Sequence, residues 1–111
     1  MTQAHEQTVM VVGGANEMFA YRAAACLHED GFRVVMITPN PTSSLRRSRI
    51  LADLVHLPLD DVASGELAVA IEDADPDVVF PTDLPAIRAI ADFRQRQHWS
   101  VAAAVAPLPA A

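Results

Sequence analysis

Two short segments combine residue types that can hold a small ligand: Gly13-Gly14-Ala15-Asn16-Glu17 and Pro81-Thr82-Asp83. Each follows an apolar run and precedes a stretch with helical periodicity. A glycine pair after a strand allows close backbone approach or a positive φ. Amides at the start of the helix that follows can hold a carboxylate or a phosphate. Thr82 and Asp83 add a hydroxyl and a carboxylate. Gly13, Gly14, Asn16, Glu17, Thr82 and Asp83 are therefore the candidate substrate-binding residues. Simpler roles compete at every position. The glycines can serve only a tight turn. Asn16 and either Thr82 or Asp83 can serve as helix caps. Glu17 can simply meet the positive end of a helix dipole.

Other chemistry is poorly served. A dinucleotide fingerprint needs G-x-G-x-x-G after the first strand and an acid closing the second. The residues here are Gly13-Gly14-Ala15-Asn16-Glu17-Met18 and Thr38-Pro39. Arg46, Arg47 and Ser48 could meet a 2′-phosphate, but without the glycines they make a weak case for NAD(P). All 8 residues counted as Lys or Arg are arginine. That excludes a Schiff-base lysine, a P-loop lysine and the phosphate-binding lysine of a receiver domain. His5, His28, His56 and His98 lack ligand spacing. His56 is expected as a packed or edge residue of a strand. No G-x-S-x-G elbow is present. Asp60-Asp61 follows Pro58 and precedes a helix, where turn and capping roles suffice. No catalytic residue and no metal ligand is assigned. Cys26 is the single cysteine, so no disulfide or cysteine-based zinc site forms within the chain. It falls on the apolar side of an expected helix and reads as a buried structural thiol.

Composition sets the class of protein around these segments. A hydrophobic content of 51% with 20% charged residues excludes global disorder, and 111 residues fit one domain. Only 5% of residues are aromatic, so Val, Ile, Leu and Ala must fill the core, as in a parallel sheet under helices. The formal net charge is −6. Residues 53–77 carry Asp53, Asp60, Asp61, Glu66, Glu72, Asp73, Asp75 and Asp77 without an arginine, which reads as a solvated face. Arg46, Arg47 and Arg49 alone make a poor phosphate-neutralising surface, so no nucleic-acid partner is expected. No apolar run approaches the ~18 residues of a membrane span, and Met1–Thr8 has no hydrophobic leader segment. No membrane association and a cytoplasmic location are expected.

The elements that must position the two segments follow from periodicity and punctuation. Thr8–Val12 is a nearly continuous apolar run, the pattern of a strand buried on both faces. A helix is expected from about Asn16 to Asp30, with Phe19, Ala23, Cys26 and Leu27 inward, Asn16 as N-cap and Gly31 just past its end. Arg33–Thr38 reads as the second strand. Ser43 or Ser44 is expected to cap a short helix containing Leu45, Ile50 and Leu51. Leu54–Leu57 reads as a third strand. A helix over Val62–Ala74 follows, with Ala63, Leu67, Ala70, Ile71 and Ala74 inward. Asp77–Phe80 is the fourth strand. Leu84–Gln97 is the last helix, with Leu84, Ile87, Ile90 and Ala91 inward. Trp99–Val105 reads as a fifth strand.

This alternation predicts an α/β fold: a three-layer, Rossmann-like parallel sheet of four to five strands, in the order 3-2-1-4-5, with helices on both faces and right-handed crossovers. Strands 1 and 4 are then neighbours. The two candidate segments flank one crevice at the carboxyl ends of the strands, where ligands bind in open parallel sheets. Residues 1–7 are expected to be a disordered tail, 8–105 the domain, and 106–111 a linker or frayed end.

Four pieces, in order, carry a family likeness: the strand Val9–Gly14 closing on a glycine pair, the Gly31-Phe32-Arg33-Val34-Val35 entry to the second strand, Ser48-Arg49-Ile50 leading through Asp53 into Leu54-Val55-His56-Leu57-Pro58, and Asp77-Val78-Val79-Phe80-Pro81-Thr82-Asp83. The chain resembles the N-terminal, pre-ATP-grasp domain of ATP-grasp carboxylate–amine ligases over residues 8–105. Ile50 departs from the aromatic residue often found there. The resemblance implies a domain that packs against ATP-binding lobes, in cis or in trans, and lines the substrate side of the active site with Gly13-Gly14 and Thr82-Asp83. It implies ATP and magnesium in those other lobes, no cofactor in this chain, and a small carboxylate substrate activated as an acyl phosphate. The lysines and acidic metal ligands of the family belong to later domains, so this chain, as a truncated piece or a stand-alone domain with a partner, is expected not to ligate alone.

Two other functions fit the residues. One is a stand-alone Rossmann-type nucleotide- or anion-binding domain. The other is a non-catalytic module that oligomerises through a sheet edge or through Val101–Val105. An unpartnered apolar surface would also favour a homodimer.

Overall fold

The computed structural model describes residues 7–40, 43–58, 65–97 and 102–103. The element order is β1 (Thr8–Val12), α1 (Glu17–Glu29), β2 (Arg33–Thr38), a 3₁₀ turn (Ser44–Arg47), β3 (Asp53–His56), α2 (Gly65–Ala74), β4 (Val78–Pro81), α3 (Leu84–Gln97) and β5 (Ala102–Ala103). Every strand pair is parallel, and the sheet order is β3-β2-β1-β4-β5. This is the expected Rossmann-like α/β architecture. The tails at 1–6 and 104–111, and the Asp60-Asp61 pair, lie outside the described residues, as do Ala63 and most of the Trp99–Val105 strand.

Side-chain alternation along the strands divides the core in two. Met10, Val12, Val35, Ile37 and Val79 face α2 and α3, where Leu67, Ile71, Ala86, Ile90 and Phe93 meet them. Val9, Val11, Val34 and Met36 face α1 and pack on Ala20 and Ala24. β1 is buried along its whole length because β2 and β4 flank it and helices cover both faces. That is why its sequence shows no polar alternation.

Each helix ends where its punctuation indicates. Asn16 caps α1, its side chain accepting from the Phe19 amide. Gly31 has φ +94°, a conformation L side chains rarely adopt. It lets its own amide reach the His28 carbonyl, and the Phe32 amide the Leu27 carbonyl, the paired bonds of a glycine C-cap. At the other end of the sheet Asp77 fastens β4 to β1. Its carboxylate accepts from the Thr8 amide at 2.8 Å, and its amide donates to the Thr8 carbonyl at 2.8 Å.

Several details differ from expectation. The buried side of α1 is Ala20, Ala24 and the half-buried Leu27, while Phe19 is 53% exposed. The face is turned by one residue, about 100° of helix. Small alanines let the helix sit close to the sheet, where Phe19 would not fit. The same turn leaves Cys26 exposed, not buried. In α3 the buried row is Ala86, Ile90 and Phe93. Leu84 stands about 200° from Ala86 around the helix and is 54% exposed. Ile50 and Leu51 fall outside the 3₁₀ turn, which stops when Ser48 takes an extended backbone. β3 and β4 each sit one residue away from their expected bounds. His56 is an exposed residue of the edge strand, and the described acids of the 53–77 stretch are all exposed.

Candidate functional site

The carboxyl ends of β1 and β4 are neighbours, with Val12 paired to Pro81. The six candidate residues therefore lie in neighbouring turns at one end of the sheet. Asn16 and Asp83 bond directly to each other, and Gly13, Glu17 and Thr82 bond to neighbouring strand residues.

Asp83 is the centre of this network. Its Oδ1 accepts from the Ala86 amide at 3.0 Å, capping α3. Its Oδ2 accepts from the Asn16 amide at 3.2 Å, across 67 residues of sequence. One carboxylate thus joins the start of α3 to the start of α1. Gly14 is pressed against it. A methyl built on Gly14 would lie 2.8 Å from Asp83 Cγ and closer still to Oδ1, well inside contact distance. Glycine is needed here for space, since only Gly31 has a positive φ among the described glycines.

Gly13 continues the sheet, its amide donating to the Ile37 carbonyl at 2.8 Å. Its Cα faces Ala20, and an added methyl would come within 3.3 Å of the Ala20 Cβ. Thr82 is buried, and both its amide and its hydroxyl donate to the Val12 carbonyl, at 3.1 and 3.2 Å. Glu17 accepts a 2.7 Å hydrogen bond from the hydroxyl of Thr38, which is 1% exposed. Thr38 Oγ1 in turn accepts from the Asn40 amide. The third loop of the crevice, after β2, is tied in by this pair.

Thr38 was not among the candidate residues. Its signal was its place at the end of β2, where a dinucleotide-binding domain carries a ribose-binding acid. Here the position donates to Glu17. Met18 and Leu84 were also missed as surface features. They occupy the first turns of α1 and α3 and, with Phe19, expose apolar side chains at 58%, 54% and 53% respectively. Exposed apolar side chains thus stand in the first turns of both helices that Asp83 joins.

The chemistry of the two turns follows from their groups. The Asn16 amide already has a carboxylate partner. The two turns contribute the carboxylates of Glu17 and Asp83 and no basic side chain, so phosphate is disfavoured there. Among the described residues no group of three or more His, Cys, Asp or Glu is placed to hold a metal ion. No helix among them is long and apolar enough to cross a membrane. The sequence matches no protein-family model and no curated protein.

Proposed function

We propose that this chain is a substrate-side domain of an ATP-grasp carboxylate–amine ligase, forming one wall of a site completed by ATP-binding lobes in cis or in trans. The observation that supports the reading is three exposed apolar side chains, Met18, Phe19 and Leu84, in the first turns of the two helices that Asp83 ties together. Such an end is built to abut another surface. It offers rigid loops and no nucleophile, base or phosphate cradle of its own.

In this role the chain positions and excludes water. The Asp83 bridge holds the two turns at a fixed separation, and the Thr38–Glu17 pair fixes the loop beside them. The completing lobes supply ATP and magnesium, and with them the chemistry that activates a small carboxylate. A stand-alone anion-binding domain is the weaker reading, since the two turns carry the carboxylates of Glu17 and Asp83 and no basic side chain.

Gene context and trapping test the proposal. A longer reading frame or a neighbouring gene is expected to encode a lysine-bearing ATP-binding region. With that region present, ATP, magnesium and a carboxylate should give a hydroxamate in hydroxylamine, which traps an acyl phosphate. Trapping that proceeds equally without this chain would count against the proposal.

A further inference from the structure

The edge of the sheet at β3 carries a groove, and none of the six candidate residues lines it. Among the described residues β3 pairs only with β2 and ends the sheet on that side. Between β3 and α2 lies a cavity of about 230 Å³. Val35, Val55, Leu57, Val69 and Ala70 give it apolar walls. Asp53, Glu66 and Asp73 line it with carboxylates, and Arg33 and His56 are its basic lining residues.

Three observations say what would fill this groove. First, backbone groups at the edge point outward. The Leu57 amide donates to the Thr38 carbonyl of β2. The two-residue period of a strand then turns the amides and carbonyls of Leu54 and His56 away from β2. The Leu54 amide accordingly donates to the neighbouring Asp53 carboxylate, at 2.9 Å, and not to β2. Second, an apolar side chain stands open beside the edge: Val69, on the cavity wall, is 57% exposed. Third, the charge is one-sided. Asp53, Glu66 and Asp73 belong to the 53–77 stretch, which holds no arginine, and Arg33 is turned to Thr8 Oγ1, 3.5 Å away. A second copy would set these carboxylates against their own equivalents, and like charges across a strand pair repel. The complement is a basic partner.

We infer that this edge takes an extended basic segment of another protein as an added strand. Its main chain bonds to Leu54 and His56, one apolar side chain enters the cavity, and Lys or Arg side chains face Asp53, Glu66 and Asp73. Strand addition draws affinity from main-chain bonds and specificity from pockets for alternate side chains. β3 has four residues and begins with an acid. A short, charged edge resists indiscriminate pairing, so the selection of a partner falls to the charge and the cavity.

The test is a ¹H–¹⁵N NMR titration of the full chain with three end-blocked peptides. The first is Lys-Thr-Ile-Thr-Lys, whose alternation puts Ile and both Lys side chains on one face. The second replaces both Lys by Glu, and the third is the lysine peptide with every backbone amide N-methylated. Saturable shifts are expected at the amides of Leu54, Val55, His56 and Val69 with the lysine peptide at millimolar concentration, and none with the other two. Asp73→Asn, an exposed change near the end of α2, should weaken binding about threefold, the worth of one exposed ion pair. Glu29→Gln, an exposed change on α1, should leave it unchanged. The inference is overturned by an absence of shifts with the lysine peptide, by shifts confined to residues 13–17, by equal binding of the glutamate or N-methylated peptide, or by equal weakening in the two variants. It is also overturned if the same amides move on dilution of the chain alone, which would put a second copy at this edge.

Discussion

Replacing Gly14 by alanine is expected to destabilise the fold through a single contact, the Asp83 carboxylate. The added methyl would sit 2.8 Å from Asp83 Cγ and Oδ2, so the carboxylate must swing away. It then loses the α3 cap at Ala86 and the bond from Asn16. Losing a cap costs about 1 kcal/mol. A hydrogen bond to a partly exposed carboxylate is worth about another 1 kcal/mol. Gly14→Ala should therefore cost about 2 kcal/mol, and Asp83→Ala a similar amount. In the double variant the methyl has room, so the second change should add less than about 0.5 kcal/mol. The expected coupling is about 1.5–2 kcal/mol, within the range for residues in direct contact. Urea unfolding followed by circular dichroism measures all four proteins, with an unchanged slope certifying a common unfolded state. Additive costs, or a Gly14→Ala cost below about 0.5 kcal/mol, would refute the contact-based reasoning.

Three further outcomes follow from the same geometry. Thr38→Val removes the buried hydroxyl that serves Glu17 and Asn40 and should cost about 1–2 kcal/mol in urea unfolding; a neutral effect would contradict that pairing. Gly31→Ala places a side chain at φ +94° and should cost about 1 kcal/mol or more, with amide exchange faster at Gly31 and Phe32. Cys26 is exposed, so a disulfide reagent should modify it without denaturant; protection until unfolding would restore the buried thiol expected from sequence.

Strand order and nearly all helix boundaries were legible in the sequence, because Gly, Pro and Asn mark them with their own backbone chemistry. Asn16 and Gly31 sit where those rules place them, whereas Pro81 closes β4 and does not follow it. The inward face of α1 was not legible. Apolar residues from Met18 to Leu27 lie on every side of that helix, so periodicity alone does not choose a face. The choice falls to Ala20 and Ala24, whose small size allows close packing on Gly13 and Met36. Leu84 is apolar yet exposed because it stands about 200° around α3 from Ala86, which is buried in the same turn. The adjacency of the two candidate turns followed from strand order, but the bridging role of Asp83 did not. It links positions 67 residues apart, and only tertiary packing brings Asn16 within reach. A residue that reads as a cap for one helix turns out to hold two.

The most direct measurement of the proposed role is hydroxamate trapping with the completing ATP-binding region and a Leu84→Asp chain. Leu84 is exposed at the start of α3, where an added acid suits the helix dipole, so the isolated domain should keep its stability. If these first turns seat against the catalytic lobes, trapping should fall at least tenfold. Undiminished trapping by Leu84→Asp would contradict a shared wall at this crevice.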